Sequence, residues 1–589
     1  MAPLRNTVLP LLVLLSTGLS CLAAPTLSFT SVRFSQKFEL VNGSKAQVVE
    51  VTVANTASSQ SASTSINTNY TVDLTGAGVK TVTPGVLRRL VAGDQKIVKV
   101  LVTGTLSGNT TAEVKDNTGK VALSKGNFPV TPLKSSWKAT SSDVAIHESP
   151  DWFNDAKFGI FIHWGPYSVP AYGPPKSYAE WYDYDLHTPP LNSSNPTWAH
   201  HLANWGPNVV YDDFIPMFTA KNFNPSDWVN LFDEAGAKYF VQVTKHHDGF
   251  AIFDTGNTTN RSSVKLGPKR DLLNELFTVA KNEKPNLRRG TYYSLPEWYN
   301  PDYKKYGFSE WPGGLATNAF NASKGLEPYT GHVNITDYLT DLQLPHQLTL
   351  MNKYDTEIMW CDIGGPNMFP QMASTFFNQA FSQNRQVVVN NRCGASGDFD
   401  TPEYTKLGST QVRKWESNEG MDPFSYGLND ATPASAYKNG TAIVQNLVDI
   451  VSKNGNFLLD VGPDATGQII PAMQAGLLQT GAWLKYGGPC IYGTRYWHKK
   501  PQDASGNLRY LQTDNTFCVI SLSQPKNNQF AVPDLVPILP GDRIDLLGAP
   551  SHSGGLPWTL SGNTLTINVS NADIATVQYA YAFQITYET

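Results

Sequence analysis

The 589-residue sequence predicts an α/β protein in which a (β/α)8-like barrel is flanked by N-terminal and C-terminal β-sandwich domains. Near both ends, apolar and polar residues alternate with a period of two, which is typical of antiparallel strands. Between residues 150 and 490, short apolar runs recur, and several are followed by polar sequence and a helical pattern. That rhythm indicates parallel βα units. The chain is also longer than a single core usually fills, which favours several domains.

The composition excludes several classes of protein. The chain is 41% hydrophobic, 11% aromatic and 16% charged, whereas soluble proteins are typically about 25% charged. Disorder and coiled coil are therefore excluded. The net charge is -4 and no basic run accompanies it, so the electrostatic pattern of a nucleic-acid-binding protein is absent.

Residues 1–24 are predicted to be a secretory signal peptide. Arg5 precedes an apolar run from Val8 to Leu19, and Ala23 and Ala24 follow it. This run is short for a membrane span, and no run of about 18 apolar residues comes later. We therefore expect a secreted, extracellular protein with no membrane partner.

The cysteines and glycosylation motifs agree with export. Removing residues 1–24 leaves an even number of cysteines, as suits an oxidising compartment. They are Cys361, Cys393, Cys490 and Cys518. Ten Asn-X-Ser/Thr motifs predict a secreted eukaryotic glycoprotein. They begin at Asn42, Asn69, Asn109, Asn192, Asn257, Asn260, Asn321, Asn334, Asn439 and Asn568.

The domain boundaries follow changes in composition. Residues 25–135 are predicted to form an N-terminal β-sandwich accessory domain, because no catalytic-looking cluster interrupts their alternation. A Ser-rich linker is expected over 131–150. The barrel is assigned to 150–490, and residues 495–589 are predicted to form the C-terminal β-sandwich.

Seven barrel strands are predicted from short apolar runs, and an eighth is expected within 165–220. The seven cover residues 158–162, 239–244, 290–294, 357–361, 386–390, 411–415 and 457–461. Helices are predicted over 227–236 and 440–452.

Polar and aromatic residues follow these strands. They are His163, Trp164 and Gly165; residues 245–249; Tyr293 and Ser294; residues 360–362; Asn391 and Arg392; and Trp415 and Glu416. Barrel enzymes build their sites at the C-terminal ends of strands, so these groups are expected to converge. The rings of Trp164, Trp181, Trp298 and Trp360 suit the C–H faces of sugars. A carbohydrate substrate is therefore favoured over a phosphate or a lipid.

Asp362 is the leading candidate for a nucleophile. Along a strand, Trp360 and Asp362 share one face and Cys361 takes the other, so Asp362 should point into the barrel mouth. A carboxylate placed there can attack an anomeric carbon if a second carboxylate lies about 5 to 5.5 Å away. Spacing leaves three candidates for this partner, namely Glu403, Glu416 and Glu180. The alternative role for Asp362 is a strand-end salt bridge with Arg392.

The adjacent His246 and His247 raise the possibility of a metal site. Neighbouring strand residues point to opposite faces, and no third ligand stands at metal-site spacing. Hydrogen bonding of these two histidines to sugar hydroxyls is the better interpretation. On this interpretation no metal is expected. The G-x-S-x-G, P-loop and G-x-G-x-x-G motifs are absent, so serine hydrolase and nucleotide chemistry have no support.

At these residues the sequence resembles glycoside hydrolase family 29, the α-L-fucosidases, in a secreted, fungal-like form. The matching stretches occur in the family's order: WFNDAKFGIFIHWG (152–165), AGAKY (235–239), TKHHDGF (244–250), KRDLL (269–273) and LLDVGP (458–463). The resemblance covers about residues 150–490 and a C-terminal β-sandwich. The N-terminal domain lies outside the family's usual minimum.

The resemblance implies a role for each matching residue. Asp362 is the implied nucleophile, and Glu403 is the implied acid/base because 401–403 resembles a Thr-x-Glu segment that follows the family's Asn-Asp-Arg motif. This chain departs from that motif at Asn391, and Glu416 is kept as the alternative. The implied fucose pocket consists of His163, Glu180, Trp181, His246, His247, Tyr293, Trp360 and Arg392. Disulfides are expected between Cys361 and Cys393 and between Cys490 and Cys518.

The implied reaction is double displacement on terminal α-L-fucosyl residues of oligosaccharides or polysaccharides, plant xyloglucan among them, without a cofactor. The loops 165–215 and 300–335 are expected to set linkage and aglycone specificity. Two rival hypotheses are a glycan-binding module that has lost catalysis and a metal-dependent barrel hydrolase that uses His246 and His247.

Overall fold

The computed structural model describes residues 24–76, 78–321, 323, 325–394 and 397–588, so the predicted signal peptide lies outside the described residues except for its last position. The N-terminal part is one antiparallel sheet in the order β1-β2-β6-β4-β3-β7-β8, with β5 paired to β3. Its strands are β1 (Leu27–Val41), β2 (Ser44–Asn55), β3 (Tyr70–Gly76), β4 (Val79–Thr83), β5 (Gly85–Leu87), β6 (Asp94–Gly104), β7 (Asn109–Lys115) and β8 (Val121–Pro129). The sheet bends until its outer strands meet, where the rings of Phe29 and Phe128 are 5.9 Å apart.

The N-terminal sheet is anchored to both following parts of the chain. Lys37 donates to Asp151, which opens the barrel region, at 2.6 Å. Arg89 forms a fully buried ion pair with Asp542 near the C-terminus at 2.7 Å. The expected linker is also ordered into the fold, because Trp137 is buried against the ring of Phe377.

The central region is a parallel sheet of seven strands in the order β13-β12-β11-β10-β9-β15-β14. They are β9 (Phe158–Ile162), β10 (Tyr239–Lys245), β11 (Arg288–Ser294), β12 (Ile358–Asp362), β13 (Val388–Val389), β14 (Trp415–Gly420) and β15 (Gly455–Val461). The strand predicted over 411–415 was misplaced, because it begins at Trp415 and continues to Gly420. Its polar sequence WESNEG gave no apolar run to detect.

The α-helices of this region lie mainly between the strands. They are α1 (Ser141–Val144), α2 (Asp151–Ala156), α3 (Tyr182–His187), α4 (Pro196–Asn204), α5 (Pro225–Glu234), α6 (Leu272–Glu283), α7 (Leu344–Asn352), α8 (Phe369–Ser382), α9 (Gly440–Ser452) and α10 (Pro471–Gly487). Short 3-10 turns span Pro166–Ser168, Ala179–Trp181, Tyr211–Phe214, Pro301–Tyr306, Ala434–Ala436 and Gly488–Cys490, and one π turn spans Leu339–Gln343. The helix predicted over 440–452 is confirmed as α9.

The eighth strand was predicted in the wrong place. Residues 165–220 are all described, and they form helices and turns without a strand. The gap between β13 and β14 is instead spanned by residues 399–403. Single parallel bridges pair Phe399 with Asn390, Asp400 with Trp415, and Glu403 with Asn418. This segment makes only isolated bridges, and its Pro402 has no N–H to donate to a ladder.

The C-terminal part contains two sheets, in the orders β16-β17-β18-β23-β20 and β19-β22-β21. Its elements are β16 (Arg495–Tyr496), β17 (Leu508–Gln512), β18 (Thr516–Ser521), β19 (Gln529–Val532), β20 (Arg543–Leu546), β21 (Trp558–Ser561), β22 (Thr564–Asn568), α11 (Asn571–Ile574) and β23 (Tyr581–Thr586). The sheets share one apolar core, in which the rings of Phe530 and Phe583 stack at 4.3 Å. In the described part of the chain, no helix has the length and apolar character to cross a membrane.

Candidate active site

The alternation of β12 orients the site. Trp360 belongs to the apolar cluster inside the barrel, whereas Cys361 belongs to the cluster between strands and helices. The inward orientation predicted for Trp360 and Asp362 is therefore confirmed. Asp362 is the last residue of β12, so its carboxylate lies at the C-terminal mouth of the barrel.

Both carboxylate oxygens of Asp362 have defined partners. Oδ2 accepts from the hydroxyl of Tyr292 at 2.7 Å and lies 3.8 Å from Nε2 of His247. Oδ1 accepts from Nη1 of Arg392 at 2.6 Å and from the backbone N–H of Ile363 at 2.8 Å. The side chain is only 12% exposed, so the carboxylate has a fixed direction but can still be reached from the mouth.

Arg392 joins Asp362 to Glu403. Its Nη1 also lies 2.6 Å from Oε1 of Glu403, while Nη2 donates to the carbonyl of Thr401 at 2.6 Å. The guanidinium lies over the ring of Trp360 at 4.9 Å. Burial alone would lower the pKa of Arg392, but Asp362 and Glu403 together raise it above its ordinary value.

Glu403 lies on the bridging segment 399–403 and has a side chain that is 33% exposed. Its Oε2 accepts from the hydroxyl of Tyr178 at 3.1 Å. The structure thus places Glu403 against Arg392, the donor that also contacts Asp362. Glu403 comes from the segment that completes the ring of strands.

Three histidines gather beside Asp362. The rings of His246 and His247 are 4.1 Å apart, and His163 lies 5.7 Å from His246. Nδ1 of His163 is 2.6 Å from Oδ1 of Asp460, and Nδ1 of His247 is 2.5 Å from Oγ of Ser294. Burial lowers the pKa of all three well below the ordinary value, and Lys245 acts in the same direction on His246 and His247. The imidazoles are therefore neutral at physiological pH.

Glu180 and Trp181 line the mouth from a single 3-10 turn. The carboxylate of Glu180 accepts from the N–H of Gly427 at 2.8 Å, and burial raises its pKa to about 7, with Glu403 acting in the same direction. The Trp181 ring lies 5.7 Å from His247 and 5.6 Å from Trp298. Together these rings form an aromatic wall next to the histidines.

Two aromatic predictions are corrected. Tyr293 is not brought to the site, because it points to the helix layer, where its hydroxyl lies 3.1 Å from Nδ1 of His346. Tyr292, its neighbour on β11, takes the inward position and donates to Asp362. Trp164 is likewise buried against Phe218 outside the barrel mouth.

Sequence reasoning overlooked Tyr292 and Asp460 as site residues. Tyr292 lies opposite Trp360 in the parallel pairing of β11 and β12. The parity argument used for β12 would have found it, because Tyr292 shares a face with Ser294. Asp460 is part of the quoted LLDVGP motif. Burial raises the pKa of Asp460 well above its ordinary value. Asp460 belongs to the site because its carboxyl group contacts Nδ1 of His163.

Glu416 is buried deeper in the barrel. It accepts from the indole N–H of Trp360 at 2.9 Å and from the Tyr239 hydroxyl at 2.5 Å. Burial raises its pKa to about 7. Since Trp360 lies between Glu416 and Arg392, this carboxyl does not reach the mouth, and the alternative acid/base is not supported by the geometry.

Within the described ranges, no group of three or more His, Cys, Asp and Glu side chains is arranged to hold a metal ion. Both expected disulfides are confirmed, Cys361–Cys393 and Cys490–Cys518. The first links the residue before Asp362 to the residue after Arg392, so it ties together two strand ends that carry the site.

Two carboxylates that share an arginine, neutral imidazoles and an aromatic wall at a barrel mouth define a carbohydrate-cleaving enzyme, a glycoside hydrolase. The family model of α-L-fucosidase matches residues 129–489, more than half of the chain. The chain belongs to the α-L-fucosidase family, glycoside hydrolase family 29, and is an α-L-fucosidase.

The alignments of this chain with known relatives cover most of the length of each relative. Tissue α-L-fucosidase of Homo sapiens is 33% identical over 394 residues, covering 64% of this chain and 76% of the relative. The α-L-fucosidase of Dictyostelium discoideum is 33% identical over 423 residues, covering 70% of this chain and 83% of the relative. A solved Thermotoga maritima α-fucosidase in complex with a mechanism-based inhibitor is 31% identical. It superposes with a TM-score of 0.64 and covers 76% of this chain and all of its own.

Proposed function

We propose that the protein is a retaining α-L-fucosidase that removes terminal α-L-fucosyl residues by double displacement, with Asp362 as nucleophile and Glu403 as acid/base. The observation that carries this proposal is that both carboxylates contact the same donor, Arg392. Oδ1 of Asp362 and Oε1 of Glu403 each lie 2.6 Å from Nη1 of Arg392, so these oxygens are separated by no more than twice that distance. Retaining glycosidases place their carboxyl groups about 5 to 5.5 Å apart, whereas inverting enzymes need about 6.5 to 9.5 Å.

In the first step, a carboxylate oxygen of Asp362 forms a bond to C1 of the fucosyl residue. The bond from C1 to the glycosidic oxygen breaks, and Glu403 gives that oxygen a proton. In the second step, Glu403 takes a proton from water, the water oxygen bonds to C1, and the ester to Asp362 breaks. Two inversions leave the anomeric configuration of the sugar unchanged.

The surrounding groups suit this chemistry. Tyr292 and the N–H of Ile363 hold Asp362 in one orientation, which favours attack from a fixed direction. Neutral imidazoles both donate and accept hydrogen bonds, as sugar hydroxyls require. Trp181 offers an aromatic face to the apolar side of the sugar.

We also propose that the enzyme is secreted and acts on fucosylated oligosaccharides or polysaccharides, with plant xyloglucan among the substrates to be tested. Two disulfides support an oxidising compartment. All ten predicted glycosylation asparagines are exposed, so the surface is compatible with glycan attachment.

The test is hydrolysis of an aryl α-L-fucoside followed by proton NMR from the first minutes, with and without a chelator. Early release of α-L-fucose that a chelator does not change is the expected result. Early β-L-fucose would overturn the retaining mechanism, and chelator-sensitive release would favour the metal-dependent rival. The Asp362→Asn variant should lose several orders of magnitude in kcat while keeping its melting temperature. Residual activity above about a tenth of wild type would reject Asp362 as nucleophile.

A further inference from the structure

A buried ion pair lies next to the aromatic wall of the mouth. Lys245, the last residue of β10, donates to Oε1 of Glu297 at 2.9 Å. Their side chains are 0% and 1% exposed, respectively. Within the described residues, neither side chain forms a hydrogen bond or an ion pair with Asp362 or Glu403. The reaction therefore gives this pair no direct role, and its position has another cause.

The backbone of β10 changes register to place Lys245 on the outer face of the sheet. Tyr239, Val241 and Val243 belong to the cluster inside the barrel, so strict alternation would also point Lys245 inward. The pairing of β10 with β11 shifts between Val243 and Lys245, and Lys245 lies level with Tyr293. Its ammonium group lies over the ring of Tyr293 at 4.5 Å, in the layer between strands and helices. The irregularity thus re-aims Lys245, as bulges beside active sites do.

Glu297 accepts hydrogen bonds from β10 and from two later stretches of the chain. Oε1 accepts from Lys245 and, at 3.0 Å, from the hydroxyl of Tyr338. Oε2 accepts from Nδ2 of Asn300 at 2.9 Å and from the hydroxyl of Tyr329. Burial alone would raise the pKa of Glu297, but Lys245 and the other donors lower it to about 2. The carboxylate is therefore charged at physiological pH, and each of its oxygens has two donors.

The TKHHDGF motif leaves room for this network at its glycine. Gly249 has a φ of +77°, which is the left-handed region that favours glycine. A Cβ at this position would collide with the Tyr329 hydroxyl and with Oε2 of Glu297. Lys245 and Gly249, two residues of one motif, thus both fit around the same carboxylate.

Glu297 is linked to the histidines through its neighbour, Trp298. The backbone N–H of Trp298 donates to the carbonyl of His247 at 2.9 Å, and the two rings are 5.1 Å apart. Nε2 of His247 lies 3.8 Å from Oδ2 of Asp362. Lys245 and His247 belong to one short stretch, and Glu297 and Trp298 are neighbours. The ion pair and the backbone hydrogen bond therefore close a ring between the ends of two strands.

We propose that Lys245 and Glu297 are positioning residues for the fucose pocket, because their ion pair fixes Trp298 and His247 beside Asp362. The two charged groups act through Trp298 and His247 and do not touch the sugar. The inference rests on the proposed function, since it takes Asp362 as the reacting group. It also gives Tyr293 a place in the molecule, as the ring on which the Lys245 ammonium group lies.

The test removes both charges together, because removal of one partner would leave the other buried and unpaired. Lys245→Met/Glu297→Gln nearly keeps the size of both side chains. Arg89→Met/Asp542→Asn is the matched control, since it removes a fully buried pair that joins the N-terminal sheet to the C-terminal part. For each enzyme we would measure the melting temperature, the Kd of L-fucose by calorimetry, and kcat and KM on an aryl α-L-fucoside.

In Lys245→Met/Glu297→Gln we expect the Kd of L-fucose to rise at least tenfold and kcat/KM to fall at least tenfold, with the enzyme folded at the assay temperature. The control should keep both values within twofold of wild type, even if its melting temperature falls. Values within twofold of wild type in Lys245→Met/Glu297→Gln would overturn the proposal, because the pair would then serve only the stability of the fold. Equal losses in the control would overturn it as well.

A second variant decides the question if the first does not fold. Tyr329→Phe/Tyr338→Phe removes two donors to Glu297 and keeps both rings and both charges. We expect the Kd of L-fucose to rise at least threefold, and an unchanged Kd would overturn the proposal. Failure of the proposed function is distinguishable, because it would appear as inversion or as activity retained in Asp362→Asn. The Kd of L-fucose reports on the pocket without any reaction.

Discussion

Glu416 accepts a hydrogen bond from the indole N–H of Trp360 at 2.9 Å. The guanidinium of Arg392 lies over the same indole ring, so Trp360 connects Glu416 to Arg392. Glu416 therefore acts on the site only through Trp360. This buried contact explains why a carboxyl that the sequence offers as an acid/base has a structural position instead.

Glu416→Gln should retain kcat within about threefold of wild type. The uncharged amide of glutamine has nearly the same shape as the protonated carboxyl group and can take its place between Trp360 and Tyr239. Burial raises the pKa of Glu416 from its ordinary value of 4.5 to about 7. In this range the folded state holds a proton that the unfolded state has released, so this group's stabilising contribution falls as pH rises from about 4.5 to 7. The loss is up to roughly 3 kcal/mol. Denaturant unfolding between pH 4.5 and 7.5 should show a smaller decline for Glu416→Gln, and identical profiles would contradict this assignment.

Tyr292 and Tyr293 provide a matched pair of variants. Tyr292→Phe removes the hydroxyl that donates to Asp362, and hydrogen bonds to charged groups contribute about 1.5 to 3 kcal/mol. We therefore expect kcat to fall about 10- to 100-fold. Tyr293→Phe removes only a contact with His346 outside the mouth, so kcat should change less than twofold. Steady-state kinetics on one aryl fucoside decide the comparison, and equal losses would show that the orientation of β11 is misassigned.

Glu403→Ala should separate substrates by their leaving groups. Loss of a general acid costs about 10²- to 10⁴-fold when the leaving oxygen is a poor leaving group, and much less when it is an activated phenolate. We expect added azide to raise the rate and to give a fucosyl azide of retained configuration, since azide attacks the ester to Asp362 without needing a base. Glu416→Ala is the control. Azide rescue of Glu416→Ala in place of Glu403→Ala would reverse the assignment.

Removal of the two disulfides should have different effects on activity. Each closes a loop of about thirty residues, with sequence separations of 32 and 28, so each should contribute about 2 to 4 kcal/mol to the free energy of unfolding. Cys361→Ser/Cys393→Ser should in addition lower kcat, because Cys361 precedes Asp362 and Cys393 follows Arg392. The second bond joins the 3-10 turn after α10 to β18, far from Asp362, so Cys490→Ser/Cys518→Ser should leave kcat unchanged. Equal kcat values in the two double variants would contradict a positioning role for the first bond.

Local sequence patterns determined the parts of the fold that depend on burial alone. Strands β9, β10, β11, β12 and β15 were found because parallel barrel strands are buried on both faces and appear as apolar runs. The inward direction of Asp362 followed from strand alternation, which is a property of the backbone. The family and its reaction were recognised from motifs at the ends of these same strands.

The tertiary structure decided which distant groups meet. The segment that completes the ring of strands is 399–403, a polar stretch with isolated bridges, and its pairing with Asn390 and Asn418 depends on neighbours that local sequence does not specify. That closure brings Glu403 to Arg392 and leaves Glu416 beneath Trp360. The register of β11 against β12 places Tyr292 level with Trp360, within reach of Asp362. Periodicity records which face of a strand is buried, whereas the separation of two carboxylates on different strands depends on register and ring closure, which only the assembled barrel fixes.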